Sequence, residues 1–379
     1  MKTLDRLRTE IEEVDTKLLE LIAQRLELAV KVGEEKGKMG IPIRDWSVER
    51  DVIDRAHRAA RRLRLPHELV RKIMQHLIRE SCAFQEGLRD ATYDGDLGRI
   101  FIVGGRGRMG RWFARFFHNQ GHFVSIYDKA GFLPQFPSFE TLQDGVRDAS
   151  LILLATPLDE TPGVYEELMQ LRPAGIMCDI ASLKSGLLET IRKARKAQLR
   201  VASIHPLFGP EARMLSDKVI CLCECGDEES FSEVRALFQE TSASLVELPL
   251  ERHDVLASYV LGLSHILNII FAHTLSNSGI PYKAFSEVAS TTFVHQSATT
   301  VSVITENPFL YYEIQNTNAY TPELYKQLRA AMSEITETVL AKDRDRFVDI
   351  MKRGEKYFTE VENVNRSFEK DRVPDDLHD

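Results

Sequence analysis

Apolar side chains between residues 4 and 38 recur at alternating steps of three and four, which is the spacing of one face of an α-helix. Arg25 stands where this spacing predicts an apolar residue, and it breaks the pattern once. The pattern predicts one long amphipathic helix from Leu4 to about Lys38. The apolar positions of this helix are Leu4, Leu7, Ile11, Val14, Leu18, Leu21, Leu28 and Val32.

Two shorter helices follow the first one. A turn signal at 40–42 (Gly-Ile-Pro) precedes a second helix predicted from about Ser47 to Leu63, and Pro66 opens a third that ends near Gly87. These helices predict an all-α first domain. Because two shorter helices cannot cover the whole apolar face of the first, we expect a second copy of the chain to cover it and hence a homodimer.

The pattern changes after residue 98, where short apolar runs alternate with helical spacing. This alternation predicts a parallel α/β sheet, and the long helical segments from about Glu251 onward predict a C-terminal all-α domain. The apolar runs are Arg99–Val103, Phe123–Tyr127, Leu151–Leu154 and Ile176–Asp179. The predicted bounds are a helical domain at 1–90, a linker at 91–98, the α/β domain at 99–248, a helical domain at 249–366 and a charged tail at 367–379.

Composition and charge exclude several classes of function. The 379 residues are too many for one hydrophobic core, and 43% hydrophobic with 28% charged residues is typical of soluble proteins. The net charge of −8 argues against nucleic acid as a partner, and no apolar run approaches the roughly 18 residues of a membrane span. The acidic N-terminal turns show no export signal, so we expect a cytoplasmic protein with no membrane partner.

The cysteines do not form a metal-binding pattern. Cys221, Cys223 and Cys225 alternate with other residues along a predicted strand, and no histidine lies nearby in the sequence. Zinc sites usually combine such thiolates with closely spaced partners on turns. We interpret the thiols as reduced and predict no metal site.

A glycine motif, Gly105-Arg-Gly107-Arg-Met-Gly110, follows the first apolar run and opens a helix. Asp128 lies 23 residues beyond the first of these glycines, at the end of the next run. This context predicts a Rossmann-type dinucleotide-binding domain, and an acid that accepts from the ribose 2′-hydroxyl favours NAD over NADP, although the nearby Arg106, Arg108 and Lys129 weaken that preference. The predicted cofactor-binding residues are Gly105, Gly107, Met109, Gly110, Asp128, Thr156 and Pro157.

A second group of polar residues follows the later strands. Oxidation of a hydroxyl-bearing carbon needs a base near neutral pH, and His205 is the candidate, in a loop at the carboxyl end of a strand. Ser182 and Lys184 end the preceding strand at the same edge, where they can orient His205 or the substrate. If the surroundings of His205 are neutral, the rate should fall below a pH of about 6.5.

Three motifs in this order, GGxGxMG, DxASxK and HPxFGP, resemble those of the prephenate dehydrogenase family from about residue 99 to the end. The resemblance implies that hydride leaves the carbon carrying the 4-hydroxyl for NAD while the ring carboxylate departs as carbon dioxide. It implies that His205 is the catalytic histidine, with Ser182 beside it. It also implies a substrate-pocket role for His265 and a pocket-rim role for Glu211, and His253-Asp254 fits the family pattern.

The first ninety residues resemble the all-helical chorismate mutase family, through Leu7-Arg8, Ala23–Ala29, Gly33–Lys36, Arg44-Asp45 and Ser81-x-x-x-Gln85. The mutase reaction rearranges a dianion and needs fixed cations and donors, and a guanidinium on an apolar helix face is costly unless it meets an anion. The resemblance implies that Arg25 and Arg8, the latter from the other subunit, bind carboxylates. It further implies that Lys36 and Gln85 interact with the ether oxygen of the substrate. Glu49 and Asp45 would interact with its hydroxyl group, and Ser81 would also contact the substrate.

Two positions depart from these families. The mutase arginine expected before Glu49 is Val48, and the dehydrogenase arginine expected five residues before the Asn307-Pro308 turn is Ser302. Loss of a bidentate carboxylate partner costs a few kcal/mol, so another cation must serve or the substrate must differ. Arg213 is one candidate cation, from its position in the loop after His205.

The main prediction is therefore a bifunctional enzyme of tyrosine biosynthesis, which converts chorismate to prephenate and then, with NAD, to 4-hydroxyphenylpyruvate. Its alternatives are the same reactions on the 4-amino-4-deoxy analogues, which would explain both lost arginines, and a non-catalytic sensor of NAD and an aromatic ligand. A hydroxy-acid dehydrogenase with an added helical domain explains the glycine motif but not the N-terminal spacing.

Overall fold

The computed structural model describes residues 2–38, 46–87, 98–212, 215, 218–239, 241 and 243–370. Among these it does not describe the side chains of 2, 36–38, 46–50, 79, 82–87 and 360–370. The chain divides into two compact units, Met1–Asn318 and Ala319–Asp379. The first unit contains the predicted mutase-like helices, the sheet and the first helices of the C-terminal region.

Three helices form the N-terminal region: α1 (Lys2–Lys38), α2 (Trp46–Leu63) and α3 (His67–Gly87). They confirm the predicted all-α organisation, and α3 packs against both other helices. The eight apolar residues of the predicted α1 face are each between 50% and 61% exposed. The described residues therefore leave this face largely exposed.

A seven-stranded sheet follows, with the strand order β2-β1-β3-β4-β5-β6-β7. Its first five strands are parallel, but β6 runs antiparallel to β5 and parallel to β7. The predicted parallel α/β sheet is confirmed for β1 to β5, and β6 adds one antiparallel pairing, because a short connection can join antiparallel neighbours without a crossover helix. The strands are β1 (Arg99–Val103), β2 (Phe123–Tyr127), β3 (Leu151–Leu154), β4 (Ile176–Asp179), β5 (Val201–Pro206), β6 (Val219–Glu224) and β7 (Ser244–Pro249).

Helices cover both faces of this sheet, and two hydrophobic clusters result. One cluster is rich in aromatic side chains from α4 and includes Trp112, Phe113 and Phe117, while Phe101 and Tyr165 belong to the other. A sheet buried on both faces explains why its strands read as continuous apolar runs. The helices are α4 (Arg108–Asn119), α5 (Leu142–Val146), α6 (Thr161–Leu171), α7 (Leu188–Lys196) and α8 (Glu228–Gln239).

The C-terminal part is helical, as predicted. A buried amide network joins α10 to α12, because the Gln296 amide and the Thr300 hydroxyl both donate to Asn268 Oδ1, at 2.9 and 2.8 Å. The Asn307 side chain caps the helix that Pro308 opens. The helices are α9 (Leu250–Ala257), a π-helical turn (Ser258–Leu263), α10 (Ser264–Ser276), α11 (Tyr282–Glu287), α12 (Thr291–Ile304) and α13 (Pro308–Thr317), with α14 (Thr321–Leu340) and α15 (Arg344–Lys370) in the second unit.

One helical stretch, Leu250–Ser276, is long and apolar enough to cross a membrane by length and composition alone. This corrects the expectation that no apolar run is long enough to span a membrane. Charged residues at 252–254 interrupt the run near its start in the sequence. Only 22% of its most apolar window is buried within the chain. A single stretch of this kind is weak evidence for a span, because helices at protein interfaces have a similar composition.

Candidate active sites

The glycine motif forms the turn from β1 into the start of α4, residues 104–110, which we call the candidate cofactor cradle. Gly104 has φ +83°, and a Cβ there would lie 2.5 Å from the Ala155 carbonyl oxygen. A Cβ on Gly110 would lie 2.1 Å from the Gly104 carbonyl oxygen, so neither position accepts a larger residue. Gly107 precedes the first turn of α4, whose N–H groups and dipole suit a pyrophosphate.

A cavity of about 470 Å³ lies beside this cradle. Of the predicted cofactor residues, Gly107, Asp128, Thr156 and Pro157 line it. The other three predicted cofactor residues do not line the cavity. Gly105 and Gly110 are buried, and Met109 packs against the hydrophobic core of the sheet.

The Asp128 carboxylate is fixed at the end of β2. Its Oδ2 accepts from the Arg106 backbone N–H and its Oδ1 from the Ala130 N–H, both at 2.9 Å. Each oxygen keeps a lone pair for a ribose hydroxyl. The acidic residue and the small-residue cradle fit NAD.

The cations around Asp128 have partners in the protein. Lys129 Nζ lies 2.8 Å from Glu160, and the Arg106 guanidinium donates to the Ala130 carbonyl oxygen. Arg108 pairs with two acids away from the cavity lining. Because Glu160 offsets the charge of Lys129, these cations form no ready site for a 2′-phosphate, which favours NAD.

His205 lies within β5 rather than in the loop predicted for it, and its backbone pairs with that of Cys221 on β6. Only 4% of the residue is exposed. Burial lowers the pKa of His205 well below 6.5, and the neighbouring His253 and Lys184 add to the effect. The neutral surroundings assumed from the sequence are therefore not those of the folded chain.

A hydrogen-bonded chain connects His205 to a carboxylate. His205 Nδ1 lies 2.9 Å from His253 Nε2, and His253 Nδ1 lies 2.6 Å from Asp254 Oδ1. Asp254 also accepts from the backbone N–H groups of Lys184 and Ser185, at 2.8 and 2.6 Å, and from the Ser185 hydroxyl. All three members of the chain are buried.

The pKa shifts along this chain have opposing causes. Burial lowers the pKa of His253, although the hydrogen bond with Asp254 opposes that shift. Burial raises the pKa of Asp254, but hydrogen bonds from His253, Ser185 and the Lys184 backbone outweigh it and leave the pKa below its ordinary value. The arrangement thus favours an ionised Asp254 next to two neutral imidazoles.

Lys184 is fully buried beneath His205. Its ammonium donates to Asp179 Oδ1 at 2.6 Å and to the Ile204 carbonyl oxygen at 2.8 Å, and the Tyr165 hydroxyl donates to Asp179 Oδ2 at 3.3 Å. Of the two roles predicted for Lys184, this placement favours orientation of His205, because the ammonium has no exposed surface for a substrate. Ser182 lies half-buried at the end of β4.

Two further predicted residues, Glu211 and His265, do not line the cavity beside the glycine motif. Glu211 is 86% exposed and pairs with Arg108 at 3.0 Å. The half-buried ring of His265 lies 4.3 Å from that of Tyr311, and burial lowers its pKa. Within the described part of the chain, His265 Nδ1 has no hydrogen-bond partner. Arg213 lies outside the described residues.

In the N-terminal region the structure brings Arg25 and Ser81 together. Arg25 Nη1 donates to Ser81 Oγ at 2.6 Å and to the Leu77 carbonyl oxygen at 2.9 Å. Arg8 is exposed, 3.9 Å from Asp5. The structure does not describe Asp45 or the side chains of Lys36, Glu49 and Gln85.

The cysteines carry no sign of metal binding. Cys178, Cys221, Cys223 and Cys225 are free thiols, and burial raises the pKa of Cys223 to about 12. Across the described ranges no group of three or more His, Cys, Asp or Glu side chains is arranged to hold a metal ion.

Sequence reasoning missed several residues of this site. Ser185, Asp179 and Asn318 were not singled out, yet Ser185 and Asp179 hold Asp254 and Lys184, and the Asn318 amide donates to the Asp254 carbonyl oxygen at 2.9 Å. Asp179 could have been identified from the sequence, since it is the first residue of the DxASxK motif. No sequence pattern indicated Asn318, because it lies 64 residues from Asp254 along the chain.

Comparisons with known protein families match all three regions. The model of chorismate mutase type II matches residues 7–86. That of the prephenate dehydrogenase nucleotide-binding domain matches 136–247, and that of the prephenate dehydrogenase dimerization domain matches 249–353. The regions described above thus correspond to two enzyme families in one chain.

Individual relatives agree with these matches. A T-protein of Enterobacter agglomerans is 26% identical over 355 residues, covering 94% of this chain and 93% of that protein. A chorismate mutase of Methanocaldococcus jannaschii is 35% identical over 92 residues, covering 24% of this chain and 93% of that protein. Prephenate dehydrogenase from A. aeolicus, crystallised with hydroxyphenyl propionate and NAD+, shares the fold, with a TM-score of 0.57, 16% identity, and coverage of 72% of this chain and 100% of that one.

Proposed function

Because the chain belongs to the bifunctional chorismate mutase and prephenate dehydrogenase family, we propose that its two sites carry out consecutive steps of tyrosine biosynthesis. The N-terminal helices rearrange chorismate to prephenate. The α/β and C-terminal helical regions convert prephenate to 4-hydroxyphenylpyruvate by NAD-dependent oxidative decarboxylation. The observation that carries the dehydrogenase mechanism is the buried chain from His205 through His253 to Asp254, beside a dinucleotide cradle.

NAD, when bound, supplies the acceptor for the hydride of the substrate. The residues that would hold it are the glycines of the cradle, Asp128 at the ribose, and Thr156 and Pro157 along the cavity. The Lys129–Glu160 pair limits the attraction for a further phosphate.

The hydrogen-bonded chain determines which nitrogen of His205 can act as a base. The ionised Asp254 accepts from His253 Nδ1–H, which leaves His253 Nε2 with a lone pair. His253 Nε2 then accepts from His205 Nδ1–H. His205 Nε2 is left with a free lone pair for the proton of the 4-hydroxyl group. Proton transfer to it would create a cation that Asp254 stabilises through His253.

Around this base, Lys184 is a positioning residue, since it holds the Ile204 carbonyl next to His205. Ser182, His265, Glu211 and Arg213 remain predicted substrate residues. The 4-amino-4-deoxy analogues and the sensor are not favoured, because the similarity to a T-protein extends over 94% of the chain.

For the mutase site we propose Arg25 and Ser81 as the described part of the pocket, with Lys36, Gln85, Glu49 and Asp45 completing it. Arg8 precedes Arg25 by 17 residues on one helix, which is about 25 Å at 1.5 Å per residue. The two guanidinium groups of one chain are therefore too far apart to share a small substrate, so Arg8 must come from a second subunit.

This distance argument and the uncovered apolar face of α1 support a homodimer as the working unit. The exposed apolar stretch Leu250–Ser276 offers a second surface for the same partner. We also place the enzyme in the cytoplasm, because free thiols such as Cys178 and Cys221 suit a reducing compartment.

The test is NADH formation by the purified protein with NAD and, in turn, chorismate, prephenate and their 4-amino-4-deoxy counterparts. We expect turnover of both chorismate and prephenate. Chorismate should give a lag, since prephenate must first form. Turnover of the amino compounds alone would replace this function with the analogue pathway, and NAD binding without turnover would leave only the sensor.

A further inference from the structure

The Arg108 side chain connects three elements around the dehydrogenase cleft. Its Nη2 lies 3.0 Å from Glu211 Oε1, and its Nη1 lies 2.8 Å from Glu306 Oε2. Arg108 begins α4, Glu211 lies in the loop after His205, and Glu306 lies between α12 and α13. The two ion pairs therefore join the cofactor helix, the loop that follows the catalytic base and the C-terminal helical region.

The backbone around Glu211 is held against α4. Trp112 Nε1 donates to the Ala212 carbonyl oxygen at 2.6 Å, and the rings of Trp112 and Phe208 lie 4.9 Å apart. The loop after His205 is thus anchored one turn along α4 from Arg108. The Glu211 side chain, which is 86% exposed, can move without displacing this anchor.

Arg108 is not directed at the cofactor cavity. Its neighbours Gly107 and Arg111 line that cavity, but Arg108 does not. The helical spacing turns its side chain away from the dinucleotide and toward Glu211 and Glu306. The positive charge of Arg108 is therefore available to the substrate rather than to the dinucleotide.

The C-terminal helices offer few cations for a substrate carboxylate. Position 302, where the family resemblance implies an arginine, is an exposed serine whose hydroxyl donates to the Thr299 carbonyl oxygen at 2.7 Å. No arginine lies in the sequence between Arg252 and Arg329. The lysines in that interval, Lys283 and Lys326, pair with Glu287 and Glu323 on their own helices. A cation from another element must face the substrate.

We propose that Arg108 binds a carboxylate of the dehydrogenase substrate and exchanges one of its two acidic partners for it. This inference rests on the proposed function and names the cation of that site. Exposed ion pairs contribute little to stability, so the present partners of Arg108 are easily exchanged, whereas a bidentate pair between arginine and a carboxylate is among the stronger hydrogen-bonded pairs. Two acids on one guanidinium leave a net negative charge that repels a dianion, so Glu211, the more exposed acid, is the partner that leaves.

The test compares Arg108→Gln with two variants of the same helix and the same charge change. Arg111→Gln alters the cofactor cavity, and Arg115→Gln removes an exposed charge two turns beyond Arg108. Initial rates of NADH formation give KM for prephenate and for NAD separately. We expect Arg108→Gln to raise KM for prephenate at least tenfold and KM for NAD less than threefold. Arg111→Gln should do the reverse, and Arg115→Gln should change neither.

Two measurements separate binding from loss of fold. Chorismate mutase activity of each variant should equal that of the parent protein, since Arg108 is remote in sequence and fold from that site. In a Trp46→Phe background, fluorescence of Trp112 reports prephenate binding without NAD. The dissociation constant should rise at least tenfold in Arg108→Gln, and Arg108→Lys should recover part of the affinity.

The acidic partners give the decisive contrast. If Arg108 exchanges Glu211 for the substrate, Glu211→Gln removes the competing carboxylate and lowers KM for prephenate. An unchanged KM for prephenate in Arg108→Gln overturns the inference. A tenfold increase of KM for prephenate in both Glu211→Gln and Glu306→Gln also overturns it, because the two ion pairs would then serve to hold the fold together. If the parent protein forms no NADH from prephenate, the proposed function fails first, and the inference fails with it.

Discussion

The two proposed active sites differ in how much of their chemistry one chain completes. In the dehydrogenase site, His205, His253 and Asp254 are buried and bonded to one another within a single chain. In the mutase site, Arg25 is half-buried on α1, where it bonds Ser81 of α3, and Arg8 lies exposed far along α1. The first site is preorganised by folding, whereas the second, as we propose it, is completed only when two chains associate.

This difference follows from the chemistry of the two reactions. Proton removal from a hydroxyl needs one nitrogen in a defined tautomer, which burial and a fixed carboxylate provide. A rearrangement of a dianion needs cations placed on several sides of the substrate, which helices from two subunits can supply. Mutations should therefore separate the two activities cleanly.

The largest separation is expected for His205→Asn. It removes the lone pair that accepts the hydroxyl proton, so kcat of the dehydrogenase should fall by about 10²- to 10⁴-fold. The mutase rate should remain at the parent value, because His205 lies on β5. Stopped-flow NADH formation and chorismate disappearance measure the two rates on one sample.

An exposed histidine provides the control for this substitution. His273→Asn makes the same change on α10, outside the hydrogen-bonded chain, and should leave both rates intact. A dehydrogenase rate in His205→Asn within tenfold of the parent would remove the assignment of His205 as the base.

The second-largest effect is expected for Arg25→Ala, which should impair the mutase and spare the dehydrogenase. It removes a donor to a substrate carboxylate, so mutase kcat/KM should fall by about 10²- to 10³-fold while prephenate oxidation is unchanged. Arg6→Ala on the same helix removes an exposed guanidinium that pairs with Glu10, and it should change neither activity. The loss of chorismate, followed by its ultraviolet absorbance, measures the mutase rate.

Mixing variants tests whether the mutase site is shared. Arg8→Ala and Arg25→Ala should each be inactive alone, but a mixed dimer has one pocket with both arginines. Random exchange of subunits should then restore about a quarter of the parent rate, since half the dimers are mixed and each has one intact pocket. Absence of recovery after verified exchange would mean that both arginines of a pocket come from the same chain, which would contradict a site shared between subunits.

A smaller effect is expected for Asp254→Asn. The asparagine no longer ensures that His253 donates through Nδ1, so His205 loses its preferred tautomer, and kcat should fall by about 10- to 100-fold as for other residues that orient a histidine. KM for NAD should stay constant, because Asp254 does not line the cofactor cavity. A parallel fall in mutase activity would instead indicate a damaged fold.

Much of this comparison could be predicted from the sequence, because its signals are local. Helical spacing gave the bounds of α1 within two residues, and the broken stripe singled out Arg25. The glycine motif with Asp128 identified the cofactor cradle, since spacing along one strand, turn and helix sets its geometry.

The parts that failed depend on contacts distant in sequence. His205 and His253 are 48 residues apart, and Arg108 and Glu306 are 198 apart, so no local spacing links them. Strand direction is also hidden in the sequence, because alternation of apolar residues is the same in parallel and antiparallel strands, so the antiparallel pairing of β6 with β5 could not be predicted. Burial of Lys184 was hidden because its partner Asp179 neutralises it.

The smallest predicted effect is a displacement of the acid limb in the pH profile of the dehydrogenase. His205 acts as a base only when neutral, and burial, His253 and Lys184 lower its pKa well below 6.5. The neutral form therefore persists as the pH falls through 6.5, and kcat/KM for prephenate should decline only at lower pH, whereas an unperturbed histidine would already be half protonated. Rates of NADH formation in constant-ionic-strength buffers test this. An apparent pKa at or above 6.5 for the free enzyme would mean that water or a mobile segment reaches His205, and the contrast between a closed dehydrogenase site and an open mutase site would then be weaker than the geometry indicates.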